Sequence, residues 1–306
     1  MTGILSNQQL LILCESAIAA AQKAGESINS FDRKKLQQVY KHSGSSAASQ
    51  IVTEVDIRCE QIIRVYLQSL SSKLNIAFIG EESISKYPIL AKQRFESPYF
   101  WCVDPLDGTL AYTQNRSGYA VSIALIDRSG RPLIGVVYDP LDKATYHAIA
   151  GFGSFIGSDV VSHRWRQRDL TPDALTFFSD EGFQSHKSFD VVIEKLESIA
   201  SAEGLGEVCV VFGSGAVMNA VQTLNYQHAC YLKLPKLAEG GGSIWDFAAT
   251  ACLAMQHNAW VSDVYGAPLS LNRKGSLFMN KEGVLFASNK ALGYRIISAL
   301  SSLAMV

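Results

Sequence analysis

The 306-residue chain has none of the features that would tie it to a membrane, a secretory route or a polyanion. No run approaches the ~20 consecutive apolar residues of a membrane span, and the N-terminus has neither the basic start nor the small-residue cleavage site of a secretory signal. Neither positive nor negative charge is in marked excess. Lys and Arg number 27 against 28 Asp and Glu, a net charge of −1, so no global field would hold nucleic acid or an acidic membrane surface. Cysteine is sparse: the six, at 14, 59, 102, 209, 230 and 252, are scattered and contain no C-x-x-C pair. They read as reduced packing residues, and a cytoplasmic location is expected. Internal repeats are absent, and so is a P-loop, which argues against a kinase.

What is present is an enzyme-like composition, 48% hydrophobic and 18% charged, over a length that fills one large core or two modest ones. Leu10, Leu13, Cys14, Ala17, Ile18 and Ala21 recur at helical spacing after a Ser6 N-cap and before Gly25. Residues 32–50 turn basic and then small and polar, and the Ser/Gly-rich part of the stretch reads as a mobile loop. Thr53 and Asp56 form a capping-box pattern that starts a second helix through Ile57, Ile62, Ile63 and Leu67. Short strands are predicted at 76–79 and 99–103, each ending in acidic turn residues, followed by an antiparallel meander at 120–126, 133–138 and 144–150. Glycines 151, 153 and 157 and the polar stretch after them divide the chain into 1–157, an α+β half, and 158–306, an α/β half. In the second half, strands at 175–179, 208–212 and 230–234 alternate with helical patterns at 191–202 and 216–224.

Four carboxylates, Glu81, Glu82, Asp104 and Asp107, fall in a short region that otherwise reads as buried strand. Burying negative charge requires compensation, and neither acidic turn contains Lys or Arg. Oxygen donors without His or Cys suit a hard divalent cation. In Asp104-Pro105-Leu106-Asp107-Gly108-Thr109 the proline would bend the two aspartates together and turn the Leu106 carbonyl to the same side. The same letters also spell an ordinary turn, and the motif alone serves both readings equally. Asp246, opening an apolar helix after glycines 240–242, reads on its own as an N-cap. Gly213-Ser214-Gly215-Ala216 is either a plain helix start or a set of amides offered to an anion. The six histidines show no ligand spacing, Trp101 and Trp245 read as core, and Arg33-Lys34-Lys35 with Lys41 reads as a solvated basic face.

Taken in order, Val52-Thr53-x-x-Asp56, Gly80-Glu81-Glu82-Ser83, the D-P-L-D-G-T run, Gly213-Ser214-Gly215-Ala216 and Trp245-Asp246 resemble the inositol monophosphatase family of metal-dependent, lithium-sensitive phosphatases. The resemblance implies a layered αβαβα sandwich and two or three Mg²⁺ ions per site. Carried over, it implies one ion on Glu81, Asp104 and the Leu106 carbonyl, and a second on Asp104, Asp107 and Asp246. A third, weaker site would use Glu81 and water. It further implies that Thr109 and Asp56 activate the attacking water, that the Gly108 and Thr109 amides hold the phosphate, and that the protein is a homodimer acting on a small phosphorylated substrate. Phosphate monoester hydrolysis needs an activated water and neutralised oxygens, which paired divalent ions supply.

Two departures fall where substrate is chosen. Leu110-Ala111-Tyr112 replaces the usual Asn or charged residue after D-G-T, and the segment 233–242 is longer than in compact inositol phosphatases. The D-P-L-D form and I-W-D-x-A-A resemble the branch that removes the 3'-phosphate of adenosine 3',5'-bisphosphate, whereas Glu239, seven residues before Asp246, resembles the inositol-binding glutamate. The reading leans to the nucleotide, with Gly213, Ser214, Lys233 and Lys236 facing it, and Glu239 as the polyol alternative. A non-catalytic metal or phospho-ligand binding protein is the competing class. It would have to keep Asp56, Glu81, Asp104, Asp107, Thr109 and Asp246 all intact without using them.

Overall fold

The computed structural model describes residues 4–35, 38–40, 51–161, 163–168 and 173–301. Helix α1 (Asn7–Ser30) starts at Ser6, whose hydroxyl accepts from the Gln9 amide while the Gln9 side chain accepts from the Ser6 amide. A short pair, β1 (Gln38–Tyr40) and β2 (Ile51–Thr53), runs antiparallel and leads into α2 (Glu54–Leu74). Left-handed Asn75 ends α2, and β3 (Ile76–Gly80), α3 (Glu81–Lys86), α4 (Gln93–Glu96) and β4 (Tyr99–Asp107) follow. After α5 (Thr109–Thr113) comes a meander of β5 (Ala120–Asp127), β6 (Pro132–Asp139), β7 (Ala144–Ile149) and β8 (Gly153–Ile156). These build a six-stranded sheet in the order β3-β4-β5-β6-β7-β8, in which β3–β4 is the parallel pair.

The second sheet takes β9 (Ala174–Phe178), β10 (Glu207–Val211), β11 (Ala229–Lys233), β12 (Trp260–Ser262) and β13 (Val284–Ala287), in the order β10-β9-β11-β13-β12. Its helices are α6 (Phe189–Ala202), α7 (Ala216–Asn225), α8 (Ile244–Gln256) and α9 (Lys290–Leu300). Strands covered on both faces read as continuous apolar runs, as β4 does. Its Trp101 and Val103 pack with α1 and α2, while Phe100 and Cys102 pack against α7 and α8. The α7–α8 layer also meets Phe178, Tyr231 and Phe286 of the second sheet, whose far face is closed by α6 and α9. The result is five layers, αβαβα. None of the described helices is long and apolar enough to cross a membrane.

Several expectations need correction. Helix α1 does not stop near Gly25 but runs to Ser30, because Gly25 leaves the space that the Tyr138 ring fills. The acidic Gly80–Ser83 segment is not a turn after a strand; it opens α3. The strand starting at Tyr99 runs past Val103 to Asp107, and Ile57 of α2 is 48% exposed rather than packed. Cys209 lies exposed on edge strand β10, unlike the other five cysteines, which are buried. The serine-rich loop at 41–50, with His42 and Lys41, lies outside the described residues.

Candidate active site

The site forms where β4 ends. Between Asp104 and Asp107 the pairing with β5 slips, so that Asp104 faces Ser122 while Asp107 faces Ala120. Pro105 has no amide to lose at such an irregularity. The Asp104 carboxylate accepts from the Leu106 amide at 3.1 Å, which folds the loop back on itself. Gly108 then adopts φ 79°, with the Gly118 carbonyl where a Cβ would sit, so only glycine permits this path into α5.

Two further aspartates arrive by one device. Asp56 and Asp246 both occupy the third position of their helices, α2 and α8, and each closes a capping box with the residue three before it, Thr53 and Ser243. The box fixes each carboxylate at the helix N-terminus, where the backbone dipole favours negative charge. One Asp56 oxygen accepts from the Thr53 amide at 2.8 Å and from its hydroxyl at 2.5 Å. The other lies 3.1 Å from the Thr109 hydroxyl, which is also 3.0 Å from the Leu106 carbonyl.

Asp104, Asp107 and Asp246 each present a carboxylate oxygen, all within 4.8 Å of one another. Packing acids this closely is unfavourable. Burial and the Asp246 charge hold Asp107 well above the usual carboxylate range, although the Val217 amide and Lys233 pull it down. Asp246 is pushed up to about 6, first by burial and then by the charge of Glu81. Glu81, the first residue of α3, is outside the 4.8 Å group but near enough to act on both. A lysine does enter, from a strand remote in sequence: Lys233 at the end of β11. Its Nζ is 2.7 Å from Asp180, so much of its charge is already committed. Burial alone would lower its pKa, yet Asp180, Asp246 and Asp107 together raise it. The clustered carboxylates form an all-oxygen donor set, which fits a hard divalent cation.

The glycine elbow packs directly on this cluster. Gly215 leaves no room for a side chain against Asp107, its amide donates to the Gly118 carbonyl at 2.7 Å, and the Val217 amide donates to Asp107 at 2.9 Å. An N-terminal amide of α7 therefore serves an anion supplied by the protein itself. Gly213 lies beside the Arg116–Glu181 ion pair. Lys236 is half-buried, with its pKa lowered by burial and by Lys233, and Glu239 stands exposed.

Sequence reasoning missed three residues. Asp180, which also accepts from Tyr231 at 3.1 Å, follows β9 in the same strand-then-acid pattern that drew attention to Glu81 and Asp104. Glu60 lies one helical turn beyond Asp56. Arg33 is not part of a solvated face: it donates to the Tyr112 carbonyl, Asn115 and the Tyr119 hydroxyl, and its guanidinium lies 4.4 Å from the centre of the Tyr112 ring. It clamps the end of α5, a contact that no local pattern announces.

Residues 11–304 match the profile of the inositol monophosphatase family. A 3'(2'),5'-bisphosphate nucleotidase CysQ of Aggregatibacter actinomycetemcomitans is 25% identical over 273 residues, covering 89% of this chain and 92% of the relative. Inositol monophosphatase 1 of Rattus norvegicus is 26% identical over 285 residues, covering 93% and 92%. Among solved structures, the extragenic suppressor protein suhB of Bartonella henselae superposes with a TM-score of 0.68 at 22% identity, covering 93% of this chain and 96% of that one, a likeness of fold.

Proposed function

Because the chain belongs to the inositol monophosphatase family, whose members are metal-dependent phosphatases, we propose that it hydrolyses a small phosphate monoester with Mg²⁺. One observation carries the chemistry: the Asp56–Thr109 hydrogen bond accompanies a cluster of three carboxylates, Asp104 and Asp107 buried and Asp246 partly so. Asp104, Asp107, Asp246, Glu81 and the Leu106 carbonyl would hold the ions, two or three in number. When bound, Mg²⁺ supplies positive charge for the phosphate oxygens and acidifies water.

The remaining work falls to side chains and amides of the chain. Asp56 Oδ2 is engaged by Thr53, which leaves Oδ1 to take the Thr109 proton and frees a lone pair on Thr109 Oγ1 for a hydrogen of the attacking water. The Gly108 and Thr109 amides, at the first turn of α5, hold the phosphate. The water oxygen bonds to phosphorus as one of its protons passes through Thr109 Oγ1 to Asp56 Oδ1, the ester P–O bond breaks, and the departing oxygen takes a proton from solvent, to which Asp56 later returns its own.

For the substrate, the D-P-L-D and I-W-D-x-A-A motifs and the CysQ relatives support adenosine 3',5'-bisphosphate, cleaved to AMP and phosphate. Glu239 and the inositol monophosphatase relatives support inositol 1-phosphate as the second reading. Phosphate release from both, with fructose 1,6-bisphosphate and histidinol phosphate as comparators and with and without Mg²⁺, separates them. A higher kcat/KM for inositol 1-phosphate would overturn the nucleotide reading, and no Mg²⁺-dependent release from any of the four would count against hydrolysis.

A further inference from the structure

Glu60 is 5% exposed on α2, one turn after Asp56, and its carboxylate extends beyond its own helix. It reaches the start of α3, where it accepts from the Glu82 amide at 2.8 Å, from the Ser83 amide at 3.1 and 3.2 Å, and from the Ser83 hydroxyl. Arg64, one turn further along α2, lies 3.6 Å from the same carboxylate, donates to the Ser83 hydroxyl at 2.7 Å and packs over the Phe78 ring.

The N-cap of α3 is Gly80, which has no side chain with which to cap. Serine, threonine or asparagine at that position would satisfy the orphan amides locally. Here the space is closed: a Cβ on Gly80 would collide with the Glu60 carboxylate and the Phe78 ring. The cap is thus imported from the helix that carries Asp56, and the amides it takes belong to Glu82 and Ser83, the two residues that follow Glu81.

We infer that Glu60 is a positioning residue for divalent-cation binding, locking the first turn of α3 to α2 through the Glu82 and Ser83 amides, so that Glu81, which opens that turn, and Asp56 form one rigid edge of the site. The inference rests on the reading of Glu81 as a metal ligand. A residue that orients a ligand without touching the ion acts on affinity more than on the chemical step, and such partners typically alter metal affinity by about 10- to 100-fold.

The test measures Mg²⁺ twice in the full-length protein, through the Mg²⁺ concentration for half-maximal turnover and through the Mg²⁺ dependence of the thermal midpoint, which needs no turnover. Glu60→Gln keeps the shape but places an amide against the α3 N–H groups. It should raise both half-points about tenfold, leave kcat at saturating Mg²⁺ within about threefold, and add little in a Glu81→Gln background. An unshifted half-point in folded Glu60→Gln, beside a shifted one in Glu81→Gln, overturns the positioning role alone. An equal added loss in the Glu81→Gln background makes Glu60 merely structural. If Glu81→Gln itself leaves both half-points unchanged, the ligand assignment fails and takes the inference with it. Should Glu60→Gln not fold, Ser83→Ala removes one arm of the same contact. A smaller shift in the same direction is then expected, and no shift is a refutation.

Discussion

The Thr109 hydroxyl lies 3.1 Å from Oδ1 of Asp56, a residue 53 positions earlier and on a different helix. Asp56 therefore has two tasks. Its Oδ2 closes the capping box that starts α2, and its Oδ1 orients the hydroxyl that α5 presents. A cap oxygen satisfied by the Thr53 amide and hydroxyl cannot wander, so the second oxygen is held where Thr109 needs it.

This division of labour predicts separable losses. Thr109→Ala should lower kcat between about a hundred- and ten-thousandfold, the range of positioned proton transfer, with little change in the Mg²⁺ half-point. Thr109→Ser should restore most of the rate. Steady-state kinetics of the two variants decides the matter: a loss confined to KM would make Thr109 a binding residue.

Cation binding should relieve the crowding of Asp104, Asp107 and Asp246. Ions that bind only the folded state stabilise it by mass action, about 2.7 kcal/mol at a hundredfold excess over Kd. The thermal midpoint should rise with Mg²⁺, and the rise should vanish in Asp104→Ala, Asp107→Ala protein. Asp104→Asn alone should abolish turnover without unfolding the chain. An undiminished Mg²⁺-dependent rise in the double variant would place the cation elsewhere.

Acid should act on the same cluster with a definite sign. Asp246 is raised to about 6, above the ~3.9 of an unfolded aspartate. Its contribution to metal-free stability is thus present below about pH 4 and lost as pH rises through about 6. In EDTA, the midpoint of the wild type relative to Asp246→Asn should fall between pH 4.5 and 7.5. Mg²⁺ affinity should run the other way, weakening below about pH 6 as protons displace the ion. Calorimetry of Mg²⁺ binding at pH 5 and 7.5 checks this, and equal affinity at both would remove Asp246 from the ligand set.

Much of this arrangement was legible because its determinants are local. Thr53 and Asp56 are three residues apart, D-P-L-D-G-T bends within six, and β4 to β7 are rich enough in apolar residues to be marked as strands. What escaped is the set of contacts made between remote segments. Lys233 meets Asp180 across 53 positions, Glu60 caps a helix 22 positions later, and Arg33 clamps Tyr112 and Asn115 some 80 positions away. The continuation of α1 through Gly25 has the same origin, since helix propensity disfavours glycine there and only the Tyr138 ring explains it.

The pairing of Lys233 also reshapes the question of specificity. Lys233 and Lys236 both offer positive charge that could meet the second phosphate of a bisphosphate, but they sit in different environments. Lys233 is held by Asp180 and its charge also acts on Asp246 and Asp107, so its removal leaves those acids less compensated whatever the substrate. Lys233→Met should therefore weaken adenosine 3',5'-bisphosphate and inositol 1-phosphate alike and shift the Mg²⁺ half-point. Lys236 is less buried, and its ammonium is disfavoured by burial and by Lys233, a strain that a second phosphate would relieve. Lys236→Ala should raise KM for the bisphosphate about tenfold, the effect of one charge-assisted contact, and spare inositol 1-phosphate. Glu239, exposed and able to accept from sugar hydroxyls, should behave in reverse when changed to Gln. The comparison needs kcat/KM for two substrates across three variants. Parallel losses for Lys236→Ala on both substrates would put residues 233–242 outside the specificity pocket, and a selective loss of inositol 1-phosphate in that variant would reverse the assignment of the segment.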